Sequence, residues 1–246
     1  MRVKERCREY LKQLKESFFH FVFPSRCLHC EFPLAASSAV FCENCASLLT
    51  VIDPRERCEY CFEESPTNTI CRRCLEFPLF YSAVASVFDY EGPPASLIKK
   101  MKYEDQPYLA RGAGSFLFTQ WLSLNWPLPD MIIPVPQTLV RWFERGYNQS
   151  ELLAEELGKL LGAKICQPMR RLHGDFSQAN LNLGQRQQLR DGCFVMKKGF
   201  CVKDKVILVV DDVLTSGATL RQCALTLARG YPARMYALTL CRTSIG

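Results

Sequence analysis

Four Cys-x-x-Cys pairs lie in the N-terminal third of this 246-residue chain. A Cys-x-x-Cys turn directs two sulfur atoms at one point, and two such turns supply the four thiolates that a structural zinc ion prefers. A redox pair of the thioredoxin type would need one such motif, not four. The pattern therefore predicts two closed, structural zinc sites, whose eight ligands are Cys27, Cys30, Cys42, Cys45, Cys58, Cys61, Cys71 and Cys74. Sequential pairing of the four turns needs the least loop closure, but an interleaved pairing also satisfies the pattern.

The overall composition is that of a globular protein, with 48% hydrophobic and 23% charged residues. The formal net charge of +6 is weak evidence for a nucleic-acid partner, because two zinc–thiolate sites would lower it to about +2. No segment approaches the ~20 apolar residues that a transmembrane helix needs, and the chain shows no signal-peptide core. We therefore expect a cytoplasmic protein, in which the 14 cysteines are reduced or bound to metal.

Changes of pattern along the chain predict three regions. Residues 1–24 carry polar side chains around an apolar stripe, which is typical of an amphipathic helix that docks on its own domain or on a partner. Residues 25–80 form the cysteine-rich zinc-binding module. Residues 81–246 alternate strand and helix patterns, which predicts an α/β domain with a mostly parallel sheet and helices on both faces.

Local patterns give approximate bounds for the elements of this third region. Strands are predicted at 84–90, 131–135, 205–212 and 234–241, and helices at 94–101, 106–124, 149–161 and 218–229. Ser150 is the candidate N-cap of the helix at 149–161.

The most informative strand, 206–210, is apolar on both faces and ends at two adjacent carboxylates, Asp211 and Asp212. An apolar pattern on both faces is typical of a central parallel strand. In open α/β sheets, ligands bind beyond the carboxyl ends of the strands, which is where these two acids lie. Carboxylates at this position can accept hydrogen bonds from the hydroxyls of a sugar.

The residues that follow the acids form a candidate anion cradle. A helix predicted to begin near Ala218 offers free backbone N–H groups, and Thr215, Ser216 and Thr219 add hydroxyls. Gly217 lets the backbone approach a ligand closely. A helix cap alone would explain one acid or hydroxyl, but not two acids, three hydroxyls and a glycine. We therefore predict a sugar-phosphate site.

These residues resemble the diphosphoribose-binding loop of type I phosphoribosyltransferases, with Ser216 in the place of a second threonine. The resemblance extends to the succession CLHC…CENC…CEYC…CRRC, FDYEGPPASLIKKMKY, IPVPQTLVRWFERGYNQSELLAEEL and VVDDVLTSGATL…LCRT, which is similar to the ComF family of competence proteins over residues 23–243. It implies a double zinc-ribbon module joined to a type I phosphoribosyltransferase-like domain. Some members are linked to handling single-stranded DNA during natural transformation.

The resemblance also implies ligands and further site residues. Phosphoribosyl pyrophosphate (PRPP) or a related ribose phosphate would bind with Mg²⁺, and the loop 134–148 would meet the pyrophosphate through Arg145, Asn148 and Arg141. For Arg141 alone, a solvated helix face is an equal explanation. Residues 173–186 match the family's active-site loop, with Gln178 and Arg186 as candidates, or form a plain surface loop.

Basic and aromatic residues alternate at Lys102, Tyr103, Arg145 and Tyr147. Such cations follow a nucleic-acid backbone while the rings stack on unpaired bases. An exposed helix end has the same pattern, so the residues leave both interpretations open, and the resemblance favours single-stranded DNA.

We therefore expect a ComF-type factor that binds single-stranded DNA during DNA uptake, with competence proteins as partners and PRPP in the phosphoribosyltransferase-like domain. The alternative is an active Mg²⁺-dependent phosphoribosyltransferase, including an amidophosphoribosyltransferase-like enzyme, whose acceptor the sequence does not identify. A third hypothesis is a regulatory sensor of PRPP without turnover. Whether the protein is an enzyme stays open at this level.

Overall fold

The computed structural model describes residues 25–34, 39–65, 70–172 and 193–243. The predicted N-terminal helix and the loop 173–186, with Gln178 and Arg186, lie outside these ranges. The described residues form two compact units. The small unit contains those up to Thr50 together with Glu91–Leu97, and the large unit contains Val51–Tyr90 and the residues from Ile98 onward. The domain boundaries predicted at 24/25 and 80/81 stay a prediction.

The large unit is built on a parallel sheet, which confirms the predicted fold class. Its strands run in the order β1-β7-β6-β2-β3, and every neighbouring pair is parallel. A separate antiparallel pair is formed by β4 and β5. The strand bounds are β1 Ala83–Asp89, β2 Met131–Pro134, β3 Lys164–Ile165, β4 Met169–Arg171, β5 Phe194–Met196, β6 Val206–Leu214 and β7 Arg234–Arg242.

Seven α-helices lie in the described ranges. They are α1 Glu43–Ala46, α2 Arg72–Glu76, α3 Gly92–Tyr103, α4 Ala110–Ser123, α5 Leu139–Arg145, α6 Gln149–Leu161 and α7 Ala218–Ala228, with short 3-10 turns at Pro54–Glu56 and Pro107–Leu109. None of these helices combines the length and the apolar character that crossing a bilayer requires.

Helices cover both faces of the sheet. Successive side chains of a strand point to opposite faces, so Ile207 and Val209 share one face. They pack there with Leu220 and Leu227 of α7. On the other face, α6 packs against β2 and β6, and α4 lies along α6. The sheet is therefore buried on both sides, as the continuous apolar run of β6 predicts.

The start of helix α6 differs from the prediction. Asn148, not Ser150, is the N-cap, because the side-chain oxygen of Asn148 accepts from the backbone N–H of Ser150 at 3.2 Å. The assignment of Ser150 as the cap is wrong for a physical reason. Its hydroxyl donates instead to a carboxylate of β6, which leaves the capping role to the amide two residues earlier.

Candidate functional site

The two predicted acids lie at the carboxyl end of the central strand. β6 continues through Asp211 and Asp212 and ends at Leu214, two residues later than predicted. Gly217 then adopts a left-handed φ of 71° and caps α7, whose first residue is Ala218. A residue with a side chain is strained at this φ, which explains the glycine. The predicted order of elements is therefore present: a strand, the loop 215–217 (the hydroxyl loop) and a helix.

Asp212 forms an ion pair with a lysine that is distant in the sequence. The Nζ atom of Lys102, in the last turn of α3, lies 2.9 Å from Oδ1 of Asp212. Burial alone would lower the pKa of Lys102, but the Asp212 carboxylate raises it above its usual value. Lys102 was predicted to contact nucleic acid, and the structure places it beside the candidate sugar-phosphate site as well.

Asp211 accepts two hydrogen bonds from groups of the chain itself. Its Oδ1 accepts from the Ser150 hydroxyl at 2.7 Å and from the backbone N–H of Asp212 at 2.9 Å. Burial, together with the negative charge of Asp212, raises the pKa of Asp211 to about 7. This carboxyl therefore changes its charge near neutral pH, which is unusual for an aspartate.

A cavity of about 300 Å³ opens between these acids and a set of basic residues. Its lining is formed by Lys102, Val135, Pro136, Gln137, Arg141, Arg145, Asn148, Gln149, Ser150, Arg171, Asp211, Asp212, Val213, Thr215 and Thr219. Seven of the residues predicted to bind PRPP thus line one space: Asp211, Asp212, Thr215, Thr219, Arg145, Asn148 and Arg141. Ser216 and Gly217 line a smaller hollow next to the second cysteine group.

Several residues of this cavity were not predicted from the sequence. Arg171 enters it from β4, with its guanidinium carbon 5.6 Å from the ring centre of Phe194. Gln137 donates from its side-chain amide to the backbone oxygen of Tyr147 at 2.7 Å, which holds the chain after α5 in place. No periodicity marks Arg171, because β4 has only three residues.

A second cavity of about 380 Å³ contains all four residues predicted to contact nucleic acid. Lys102, Tyr103, Arg145 and Tyr147 line it together with the acidic residues Asp105 and Glu144. The guanidinium carbon of Arg145 lies 5.2 Å from the ring centre of Tyr103, and Tyr103 is 72% exposed. Lys102 and Arg145 line both cavities, so the two spaces share cationic groups.

The eight predicted zinc ligands form two groups, and the pairing is sequential. Within Cys27/Cys30/Cys42/Cys45 and within Cys58/Cys61/Cys71/Cys74, all ligand atoms lie within 4.8 Å of one another. Three contacts between sulfur atoms of the two turns of a group measure 3.4 to 3.9 Å. Tetrahedral zinc with Zn–S bonds of 2.3 Å requires about 3.8 Å between sulfurs, so both groups fit the ion.

The two cysteine groups lie in different units. The first belongs to the small unit, where the ring nitrogen Nδ1 of His29 lies 2.9 Å from the Ser96 hydroxyl. The second belongs to the large unit, and Cys58, Cys61 and Cys74 are part of its hydrophobic core. A hydrogen bond with the Cys74 thiol is the main cause that lowers the pKa of Cys61 to about 5. A thiolate at neutral pH is the form that binds a metal.

The comparison with known proteins places the chain in a family. The DNA utilization protein YhgH of Salmonella typhi is 31% identical over 229 residues, which cover 89% of this chain and 98% of that protein. Competence protein F of Haemophilus influenzae is 27% identical over 222 residues, covering 87% and 93%. The chain belongs to the ComF family of competence proteins.

A more distant ComF relative is the competence protein ComFC of Bacillus subtilis, which is 24% identical over 209 residues and covers 82% of this chain and 84% of that protein. No protein-family model matches the chain. Among solved structures, the B. subtilis glutamine PRPP amidotransferase complexed with ADP and GMP has a TM-score of 0.40 at 15% identity, covering 57% of this chain and 30% of that chain.

Proposed function

We propose that this ComF-family protein acts in the cytoplasm as a DNA-uptake factor that binds single-stranded DNA and, in the cavity beside Asp211, PRPP or a related ribose phosphate with Mg²⁺. The observation that carries the proposal is the composition of that cavity. Two carboxylates lie at the carboxyl end of β6 and two threonines come after that strand. Arg141, Arg145 and Arg171 also line the cavity. Acids and several cations around one polar space suit a ligand that has both hydroxyls and phosphates.

The two ends of such a ligand need different groups. The 5′-phosphate would lie on the N-terminus of α7, where the first N–H groups of a helix have no intrahelical partner. The hydroxyls of Thr215 and Thr219 lie at the same helix start. The pyrophosphate would bind to the guanidinium groups, which pair with phosphate oxygens bidentately.

The ribose diol would donate to the carboxylates, which favours their ionised form. Because Asp211 has a pKa of about 7, we expect binding of the ribose phosphate to release a proton near neutral pH. Asp212 would share its charge between Lys102 and the ligand. Bound Mg²⁺ would supply positive charge that compensates the negative charge of the pyrophosphate.

The cavity lined by Tyr103 and Arg145 is the proposed contact surface for single-stranded DNA. Tyr103 is 72% exposed and offers a ring on which a base can stack, with the Arg145 guanidinium beside it. The names of the relatives, DNA utilization protein and competence protein, support a role with DNA. We further propose one structural zinc ion in each cysteine group, because four thiolates leave no open position for water.

The test uses the full chain with Mg²⁺ and PRPP, with and without a single-stranded oligonucleotide, and measures ligand retention, DNA binding and pyrophosphate release in the same samples. Retention of both ligands without pyrophosphate release supports the proposal. Steady pyrophosphate release would favour the alternative of an active phosphoribosyltransferase. If neither PRPP nor the oligonucleotide is retained, the proposal is wrong.

A further inference from the structure

Residues of the second cysteine group contact the hydroxyl loop directly. Arg73 lies between the ligands Cys71 and Cys74, in the first turn of α2. Its guanidinium donates a hydrogen bond to the backbone oxygen of Ser216, in the middle of the loop 215–217. The two residues are 143 positions apart in the sequence. A side chain within the second cysteine group therefore forms a hydrogen bond with the hydroxyl loop of the candidate sugar-phosphate site.

A second contact runs from the sheet to the cysteine group. Arg242, the last residue of β7, is only 1% exposed. Its Nη1 donates to the backbone oxygen of Cys61 at 2.9 Å, and its Nη2 pairs with Glu63. Arg242 is also the register partner of Leu214, the residue that precedes the loop. A buried guanidinium without these partners would be costly, so they fix its position.

The loop itself packs against the chain that follows the cysteine group. Leu79 contacts Gly217, and a Cβ atom added at Gly217 would lie 2.7 Å from Cδ2 of Leu79. The space between loop, Arg73 and cysteines is only about 10 Å³. The loop is therefore held in three ways: by a hydrogen bond at Ser216, by packing at Gly217, and by the pairing of Leu214 with Arg242.

We infer that metal bound to Cys58, Cys61, Cys71 and Cys74 sets the shape of the phosphate-binding loop, with Arg73 as the positioning residue. A bound ion fixes the turn between Cys71 and Cys74 and thereby orients Arg73, which keeps the loop in the conformation that receives a phosphate. This inference rests on the proposed sugar-phosphate function. The second cysteine group thus sets ligand affinity without touching the ligand.

The test compares Arg73→Gln with Arg72→Gln in the full-length, zinc-loaded protein. Arg72 is the neighbouring residue of α2 and pairs with Glu76 at the surface, so the two variants lose the same charge at adjacent positions. Zinc content confirms that the clusters are intact. Backbone hydrogen–deuterium exchange of residues 211–220 reports on the loop, and calorimetry with Mg·PRPP reports on affinity.

We expect Arg73→Gln to keep its zinc, to exchange faster in residues 211–220 and to bind Mg·PRPP about 10-fold more weakly, because a charged hydrogen bond is lost. Arg72→Gln should match the wild type in all three measurements. Unchanged exchange in Arg73→Gln would overturn the inference. The exchange measurement is valid even if the wild type does not bind PRPP, so failure of the proposed function and failure of this inference are distinguishable.

Removal of metal provides an independent arm of the test. Cys71→Ser should raise exchange in residues 211–220, whereas Cys42→Ser, in the first cysteine group, should leave that exchange unchanged. If both variants lose one zinc ion and neither changes the loop, the inference is wrong.

Discussion

The Nζ atom of Lys102 lies 2.9 Å from Oδ1 of Asp212, although 110 residues separate the two in the sequence. Their side chains are 19% and 13% exposed. Because water is largely excluded from the pair, each charge depends on the other for compensation. The contact joins the last turn of α3 to the carboxyl end of β6, where the candidate site lies.

Removing the cation of this pair should therefore cost stability. We expect Lys102→Met to lower the free energy of unfolding by about 2 kcal/mol, because it leaves the mostly buried Asp212 carboxylate without its partner. The matched control is Lys100→Met on the same helix, whose partner Glu104 is 48% exposed. That variant should change stability by no more than about 0.5 kcal/mol. Urea denaturation measures both, and equal losses would contradict the role assigned to the pair.

Asp211 should make stability depend on pH around neutrality. Its pKa of about 7 in the folded protein exceeds the ordinary value of about 3.9. Between these two values, the folded state keeps a proton that the unfolded chain releases. The resulting contribution of Asp211 to the free energy of unfolding is fully present below about pH 4 and is lost as the pH rises through 7.

We expect the stability of the wild type to fall relative to Asp211→Asn, by about 3 kcal/mol between pH 4.5 and 8. Denaturation curves at several pH values measure this difference. The control is Asp130→Asn, because the hydrogen bond from the Val206 N–H lowers the pKa of Asp130. The stability that Asp130 contributes is lost only at acidic pH. From pH 5 to 8, the free energy of unfolding of Asp130→Asn should therefore change with pH as that of the wild type does. If the stability of Asp211→Asn also changes with pH as that of the wild type does, the Asp211 carboxyl of the folded wild type is not protonated in this range.

Metal analysis and thermal unfolding should distinguish the two cysteine groups. The purified chain should contain about two zinc ions. Cys74→Ser and Cys42→Ser should each lose one. Because Cys74 lies in the hydrophobic core of the large unit, its replacement should lower the melting temperature of that unit by roughly 5–10 °C. Cys42→Ser should leave this transition in place. Identical thermal shifts would contradict the assignment of the two groups to different units.

Single-strand binding should depend on the exposed ring at Tyr103. We expect Tyr103→Ala to weaken binding of an oligonucleotide by about 10-fold, because one stacked base loses its platform. Tyr108 is equally exposed, at 68%, and does not line the same cavity, so Tyr108→Ala is the control. Fluorescence anisotropy at constant salt measures both affinities. If the two variants bind alike, the proposed DNA surface is misplaced.

The sequence predicted the main strands and the acidic end of β6 because these features are local. The run from Val206 to Val210 is apolar throughout, and the turn chemistry after it is contained in a few residues. Short loops favoured sequential pairing of the cysteines, but the sequence left an interleaved pairing open, and the structure decides between them. Helix α5 was predicted only as an alternative explanation for Arg141, because Leu139, Val140 and Phe143 are exposed and give no core-facing stripe.

The partners of the site residues could not be predicted, because they depend on contacts between distant parts of the chain. The bond of Ser150 to Asp211 spans 61 residues, and no local pattern distinguishes a serine that caps a helix from one that binds a carboxylate. From the sequence, Arg72 and Arg73 inside the fourth Cys-x-x-Cys turn are only an ambiguous candidate contact for a phosphate. Its contact with Ser216 exists only because the second cysteine group and the sheet form one core.

The most direct test of the central claim is isothermal titration calorimetry of Mg·PRPP into the wild type and into the Asp211→Asn/Asp212→Asn double variant, at pH 8 and with zinc content matched. We expect saturable binding to the wild type and at least a 10-fold loss of affinity in the variant, because neutral amides replace the carboxylates proposed to accept hydrogen bonds from the ribose hydroxyls. Equal affinity of the two proteins would contradict the sugar-phosphate site.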